Sequence, residues 1–439
     1  MAASNWAGNY EYLAERVHHP ATLEQVQEIV AAARRVRVLG SRHSFNGIAD
    51  STELISLDGL LPAVAVDHAA GTVACAPGVR YGALAQALAV EGLALHNLAS
   101  LPHISVAGAV QTATHGSGDA NGNLATAVAG LEVVTSDGEL LTVERGDEDF
   151  NGLVVGLGAL GAVTRVTLDV EPAYEVRQRV FEGLEWDVLS ENFDAIMSSG
   201  YSVSIFTRLG EAADQVWVKS RVSNQPEAEH TELFGARAAT LDRHPILGID
   251  PVNCTSQLGV PGPWSDRLPH FRMGFTPSNG DELQSELLVP REHAVATIAT
   301  VRELADAIRP LLHVCEIRTI ASDNLWMSPQ YRRDSVGVHF TWHRDQAAVQ
   351  RALVQLEAAL SPFGARPHWG KLFVTEAATI AALYPRHADF ARLVDRLDPR
   401  QAFRNAWLER HVLGAHPAEI GVDSADHPPD RTSHQRTPT

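Results

Sequence analysis

Cysteine is scarce in this 439-residue chain: Cys75, Cys254 and Cys315 are all it has, far apart and odd in number. No C-x-x-C pair occurs, which argues against a zinc cluster or a disulfide scaffold, and a reducing cytoplasm is the expected compartment. Long apolar runs are missing too. None reaches the roughly 18 residues that a transmembrane helix needs, so no membrane partner is expected. The start, M-A-A-S-N-W-A-G-N-Y, lacks a basic stretch followed by an apolar one, so no signal peptide is expected. Positive charge is in deficit, with 35 Lys and Arg against 53 Asp and Glu and a formal net charge of −18. That balance argues against nucleic acid and anionic membrane as partners, since both are polyanions. It suits a neutral or cationic small substrate, or one bound without charge preference.

What is present is an ordinary globular composition, 45% hydrophobic and 20% charged, in a chain long enough for about two or three domains. Thr22 opens a helix with Gln25 as its capping-box partner, and Val26, Ile29, Val30 and Ala33 make one apolar face. V-R-V-L follows as a strand and then a glycine loop, the pattern of an α/β unit that binds a ligand at the strand's carboxyl end. Hairpins are expected over 63–76 and 129–144, a helix over 80–91, and a strand ending near 170. From about 173 to 375 strand-like runs alternate with helical ones such as 291–312, which reads as an α+β second unit. Residues 376–411 read as partly helical and returning to the first unit. The polar, proline-rich tail from about 416 reads as disordered.

Two segments cluster glycine, serine and histidine: G-S-R-H-S-F-N at 40–46 and S-L-P-H-I-S-V-A-G-A-V-Q-T-A-T-H-G-S-G at 100–118. Small residues let backbone N–H groups approach an anion, and serine hydroxyls add donors. Neither segment matches G-x-G-x-x-G or G-x-x-x-x-G-K-[ST], so a diphosphate cradle and ordinary tight turns both stand. His43 could be a core side chain, a metal ligand or an attachment point. Further on, C-E-I-R-T-I puts Glu316 and Arg318 on one strand face, and V-H-F-T-W puts His339 and Thr341 on one face. Cys315 points the other way, into the core. P-H-W-G-K-L-F adds His368 and Lys371. Such mixed donors and acceptors suit a polyhydroxylated ligand, each of whose buried hydroxyls needs a partner; a solvated Glu–Arg face is the alternative. His18, His19, His230, His244, His387, His411 and His434 are expected at the surface.

N-W-A-G-N, L-G-S-R-H-S-F-N, L-P-H-I-S-V-A-G, T-H-G-S-G, V-N-C-T, G-V-P-G-P-W, E-I-R-T, H-F-T-W and R-P-H-W-G-K, in this order, resemble the alditol oxidase family of vanillyl-alcohol-oxidase-type flavoproteins. Sugar-lactone oxidases are more distant members. The resemblance covers about 1–412. It implies an α+β, two-lobed fold. An FAD-binding (PCMH-type) domain comes from 1–172 plus a C-terminal return over 376–415. A substrate-binding cap spans 173–375, and 416–439 form a disordered tail. It implies that His43 carries a covalent bond to the 8α-methyl of FAD, without a second, cysteinyl link, because 95–120 holds no cysteine. Arg42 stands where the family often has glycine; it either adds a phosphate contact or only changes loop stiffness.

In the family's pattern Gly40, Ser41, Arg42, His43, Ser44, Phe45, Ser105, Ala107, Gly108, Val110, Ala113, Thr114, His115, Gly116, Ser117 and Gly118 touch the cofactor. Val163 lies near its adenosine end and His368 against the flavin. The substrate pocket maps onto Ser105, Glu316, Arg318, His339, Thr341 and Lys371. The implied reaction passes hydride from a terminal CH–OH of a polyol such as xylitol or sorbitol to flavin N5. His339 is the base, titrating near neutrality, and Lys371 is a fixed charge for the developing alkoxide. Molecular oxygen then reoxidises the flavin to give hydrogen peroxide, and the chain is expected to be a monomer. The rival readings are an aldonolactone oxidase or dehydrogenase of the same family, a metal-dependent hydrolase using His43, His115, His339 and His368, and a flavin or sugar sensor. No H-E-x-x-H or similar spacing supports a metal.

Overall fold

The computed structural model describes residues 4–61, 63–223, 231–274 and 282–414; the tail expected to be disordered lies outside them, as do His230 and His434. The helix after Thr22 spans Leu23–Ala32. Thr22 accepts from the Gln25 amide, while the Gln25 side chain reaches one residue further back than a capping box requires, to the Ala21 amide at 2.8 Å. Its Val26 and Val30 enter a cluster with Val36, Ile55 and Phe403. Val36–Val38 pairs in parallel with Glu53–Ile55, which pairs in parallel with Arg16–His18.

Both expected hairpins form. Val64–Asp67 turns at Gly71 (φ +65°) into Thr72–Cys75, and Val128–Val134 turns at Gly138 (φ +82°) into Leu140–Glu144. A left-handed backbone at the turn is what glycine supplies without steric cost. Ala162–Asp169 joins the two into a five-stranded antiparallel sheet. The Tyr81–Val90 and Val106–Gln111 helices cover it with an apolar core. The helices Ala377–Leu383 and His387–Leu397 bury Ile380, Phe390 and Val394 in that same core.

The middle of the chain builds a ten-stranded antiparallel sheet. Its central order is Glu175–Glu185, Ala212–Arg221, Ser202–Thr207, Leu312–Ile320, Ser335–His343, Glu282–Pro290. One face takes the apolar stripes of the helices Trp186–Met197, Ala294–Glu303 and Gln346–Leu360, whose Leu189, Phe193, Ile298, Val349 and Leu353 meet Cys315, Ile317 and Val338. The region read as one helix over 291–312 is broken instead: Leu304 separates Ala294–Glu303 from Ala305–Ile308, a turn follows at Arg309–Leu311, and Leu312 already belongs to a strand. Pro310 cannot donate the amide that a continuing helix would need. The opposite face of the sheet is the one that carries Glu316, Arg318, His339 and Thr341. No helix among the described residues is long and apolar enough to cross a membrane.

Candidate active site

The loop after Val38 is held from three sides. Ser41 and Ser105 exchange bonds, the Ser105 amide donating to Ser41 Oγ at 2.9 Å and the Ser41 amide to Ser105 Oγ at 3.3 Å. Asn5 and Asn9 donate to the carbonyls of Ser44 and Phe45, and the Trp6 amide donates to the carbonyl of Arg42. Asn46 reaches the carbonyls of Trp369 and Lys371. The packing leaves no room for side chains at Gly40 or Gly108, where a Cβ would stand 2.8 Å from Ser105 Oγ. Arg42 sits at φ +61°, a strained setting for a side chain with a Cβ.

His43 follows, its ring stacked on Trp6 with centroids 5.5 Å apart and planes within 17°. Its Nδ1 is buried without a hydrogen-bond partner. Burial draws the imidazole down to about 4, so at neutral pH it is uncharged and keeps a nucleophilic lone pair. It lines a cavity of about 460 Å³.

The far side of that cavity is a wall of charge. Strand register sets Glu286, His339 and Glu316 abreast on three neighbouring strands. Glu286, with no side-chain exposure, is gripped by Lys371 Nζ at 2.6 Å and Arg318 Nη2 at 2.9 Å. His115 Nε2 stands 3.2 Å away without hydrogen-bond alignment. Burial would raise the Glu286 carboxyl, but Lys371, Arg318 and His115 together hold it well below the usual carboxylate range. Burial lowers Lys371 in turn, with Glu286 opposing. Glu316 Oε1 accepts from His270 Nε2 at 2.9 Å.

His339 is oriented by two side chains of the Glu282–Pro290 strand. Gln284 Nε2 donates to Glu282 Oε1 at 2.7 Å, which turns its own Oε1 toward His339 Nε2 at 3.2 Å. An amide oxygen only accepts, so the imidazole proton sits on Nε2 and Nδ1 is bare. That nitrogen is buried without a hydrogen-bond partner, 3.6 Å from Glu316 Oε2. The expectation that His339 titrates near neutrality is corrected: burial, then Lys371, draw it down to about 4, so it stays a neutral acceptor throughout the physiological range.

All six residues assigned to the substrate pocket line this one cavity, with Gly40, Ser41, Arg42, His43, Ser44, Phe45, Ala107, Gly108, Thr114, His115, Val163 and His368. Val110 and Ala113 lie in the apolar core instead, both fully buried. Gly116, Ser117 and Gly118 form a packed turn outside the lining. A Cβ at Gly116 would meet the Leu98 carbonyl at 2.4 Å, Ser117 bonds Ser202, and the Gly118 amide donates to Thr319. Two histidines expected at the surface are not there. His411 is buried with Nδ1 2.7 Å from the Thr375 carbonyl, and His244 lines the cavity, where its Nδ1 accepts from the Ile246 amide.

Glu286, Gln284 and His270 were missed by the sequence reading. E-L-Q-S-E-L over 282–287 carries the first two, on the same alternating polar face that singled out 315–320 and 338–342. His270 has no such signal; it stands on a loop. Gly156-Leu157-Gly158-Ala159-Leu160-Gly161 does have the G-x-G-x-x-G spacing, and Leu157, Gly158 and Gly161 line the cavity. Yet it precedes the Ala162–Asp169 strand rather than opening a helix.

His115, Glu286 and His368 hold donor atoms within 4.8 Å of one another, the one such trio among the described residues. A metal ion there would face Lys371 and Arg318, both already on Glu286. The cavity fits FAD better. Its volume is in the range of ligand pockets, its walls are bare of side chains at Gly40 and Gly108, and on that same wall His43 Nδ1 is a buried nitrogen with no hydrogen-bond partner.

Similarity to known proteins runs the same way. Residues 14–144 match the family described as FAD binding domain, and 281–411 match D-arabinono-1,4-lactone oxidase. The fold is that of cholesterol oxidase from B. sterolicum, with a TM-score of 0.74 at 16% identity over 93% of this chain and 96% of that one. Fold and site thus define an FAD-dependent oxidoreductase of the vanillyl-alcohol-oxidase (PCMH) type. The chain is 48% identical to alditol oxidase from a Streptomyces species over 93% of its own length and 98% of that protein. It is 28% identical to L-gulono-1,4-lactone dehydrogenase from Mycobacterium tuberculosis over 94% and 99%. The chain belongs to the alditol oxidase family of these flavoproteins.

Proposed function

We propose that this chain is an alditol oxidase, which converts the terminal primary hydroxyl of an open-chain polyol such as xylitol or sorbitol to the aldose. One observation carries the reading: a bare, buried histidine nitrogen facing Glu316, on a strand beside the Glu286–Lys371 pair, in the cavity that also holds His43. Bound FAD supplies the hydride acceptor, and molecular oxygen removes the electrons as hydrogen peroxide. His339 Nδ1 takes the hydroxyl proton as the carbonyl forms. The imidazolium so produced pairs with Glu316 Oε2 across the 3.6 Å gap, which offsets the burial that otherwise disfavours it. Lys371, aimed by Glu286, stabilises the developing alkoxide. Glu316, Arg318, Ser105 and Thr341 bind the remaining hydroxyls.

His43 is the residue we assign to the covalent 8α bond, with the neutral imidazole as nucleophile. We take the FAD to be held by 1–172 with the 376–415 return and the substrate by 173–375, in a monomer. The free, buried cysteines support a cytoplasmic setting. Acid precipitation tests the tether: the yellow colour should stay in the pellet, and with His43→Ala it should pass to the supernatant. Colour in the wild-type supernatant would contradict the assignment. Peroxide release with xylitol, compared with a sugar lactone, tests the activity. The lactone-oxidising relatives and the match over 281–411 keep aldonolactone oxidation as the second reading.

A further inference from the structure

Lys219 is a lysine with nowhere to go. It stands on the Ala212–Arg221 strand, two strands from Glu316, and is 1% exposed. Its Nζ donates to the carbonyls of Leu268 and Pro269, the latter at 3.2 Å, and meets His270 Nδ1 at 3.2 Å. Burial draws Lys219 itself down to about 7, with Glu316 opposing, and its ammonium form has three protons for these three acceptors. The ring of His270 is wedged edge-on against Phe206 and Trp217, each 5.4 Å away. Its other nitrogen, Nε2, lies 2.9 Å from Glu316 Oε1.

With the ring neutral, these contacts select one tautomer. Burial would raise the Glu316 carboxyl, but Arg318 and His270 hold it well below the usual carboxylate range, so Nε2 carries hydrogen; in the neutral ring Nδ1 is then a lone pair, and Lys219 is the donor. Burial and the Lys219 charge together draw His270 down to about 4, which keeps the ring neutral. Glu316 Oε1 is thereby fixed, and Oε2 is turned toward His339 and the cavity.

We propose that Lys219 and His270 form a positioning relay behind Glu316, holding its carboxylate in the orientation that accepts substrate hydroxyls. The proposal deepens the polyol reading and rests on it for its kinetic effect. Lys219 lies outside the cavity lining and acts through His270, which borders the cavity and holds Glu316. Satisfying two buried carbonyls would by itself account for a lysine here, but not for its bond to Nδ1.

The test uses the flavin-loaded enzyme and three variants, Lys219→Met, His270→Leu and His270→Gln. Lys219→Met and His270→Leu should raise KM for xylitol at least about tenfold, with kcat changed less and flavin content unchanged. His270→Gln, whose amide donor reaches the place of Nε2, should recover most of the loss. An unchanged KM in folded Lys219→Met or His270→Leu, or a His270→Gln variant as impaired as His270→Leu, overturns the relay. Nitrogen-15 NMR of histidine-labelled wild type, with His270→Gln to assign the signal, reads the tautomer directly and covers the case in which Lys219→Met does not fold. Protonated Nε2 and bare Nδ1 are expected; the reverse overturns the proposal. If wild type oxidises no polyol, the proposed function fails, and the NMR result alone still decides the relay.

Discussion

The two walls of the cavity are made of opposite materials. The wall at 40–46 and 105–108 is backbone, glycine and serine, with Arg42 exposed and His43 uncharged. The wall at 282–286, 316–318, 339–341 and 368–371 is rigid strand and adjoining loop carrying Glu286, Glu316, Arg318 and Lys371, nearly all out of solvent. A large cofactor is held by close approach and many weak donors, which needs small residues. A small polyhydroxylated substrate offers little area, so it must be read by strong, pre-aimed hydrogen bonds, and those need charges whose own partners are already fixed.

That contrast can be broken experimentally. Lys371→Ala should slow flavin reduction by about a thousandfold in stopped-flow while cofactor retention stays intact; equal loss of both would erase the division of labour between the walls. Glu286→Gln leaves Lys371 and Arg318 without their shared anion and should cost about 3 kcal/mol of stability in denaturant unfolding. The analogous neutral swap on the loop side, Ser41→Ala, should cost only about 1 kcal/mol. Acid should also act on both walls. His43, His270 and His339 have folded values near 4, below their unfolded value. The unfolded chain therefore binds more protons in between, and stability falls as pH drops from about 6.5 to about 4. A thermal midpoint that stays flat over this window would contradict the buried, neutral state of these rings. Smallest is Arg42→Gly, which removes a side chain from a left-handed backbone and should gain about 1 kcal/mol, visible as a raised midpoint with no change in KM.

Much of this was legible in the sequence, and for a physical reason. Strand alternation exposes which residues share a face, so Glu316 could be set with Arg318 and His339 with Thr341; the resemblance, not the alternation, joined the two pairs in one pocket. The same rule applied to E-L-Q-S-E-L would have found Gln284 and Glu286. His270 and Lys219 were beyond it: one is on a loop and the other two strands away, and only the sheet order brings them to Glu316. The glycines at 116 and 118 show the opposite error. They look like cofactor contacts but are small because Leu98, Asn97 and Tyr201 crowd them. His339 was placed correctly on its strand face, yet its charge state was not readable, since burial and Lys371 set it.

The most direct measurement is anaerobic mixing of the flavin-loaded protein with xylitol or with a sugar lactone, following the flavin absorbance. The account predicts rapid bleaching by xylitol and little by the lactone. Bleaching by the lactone alone would contradict it.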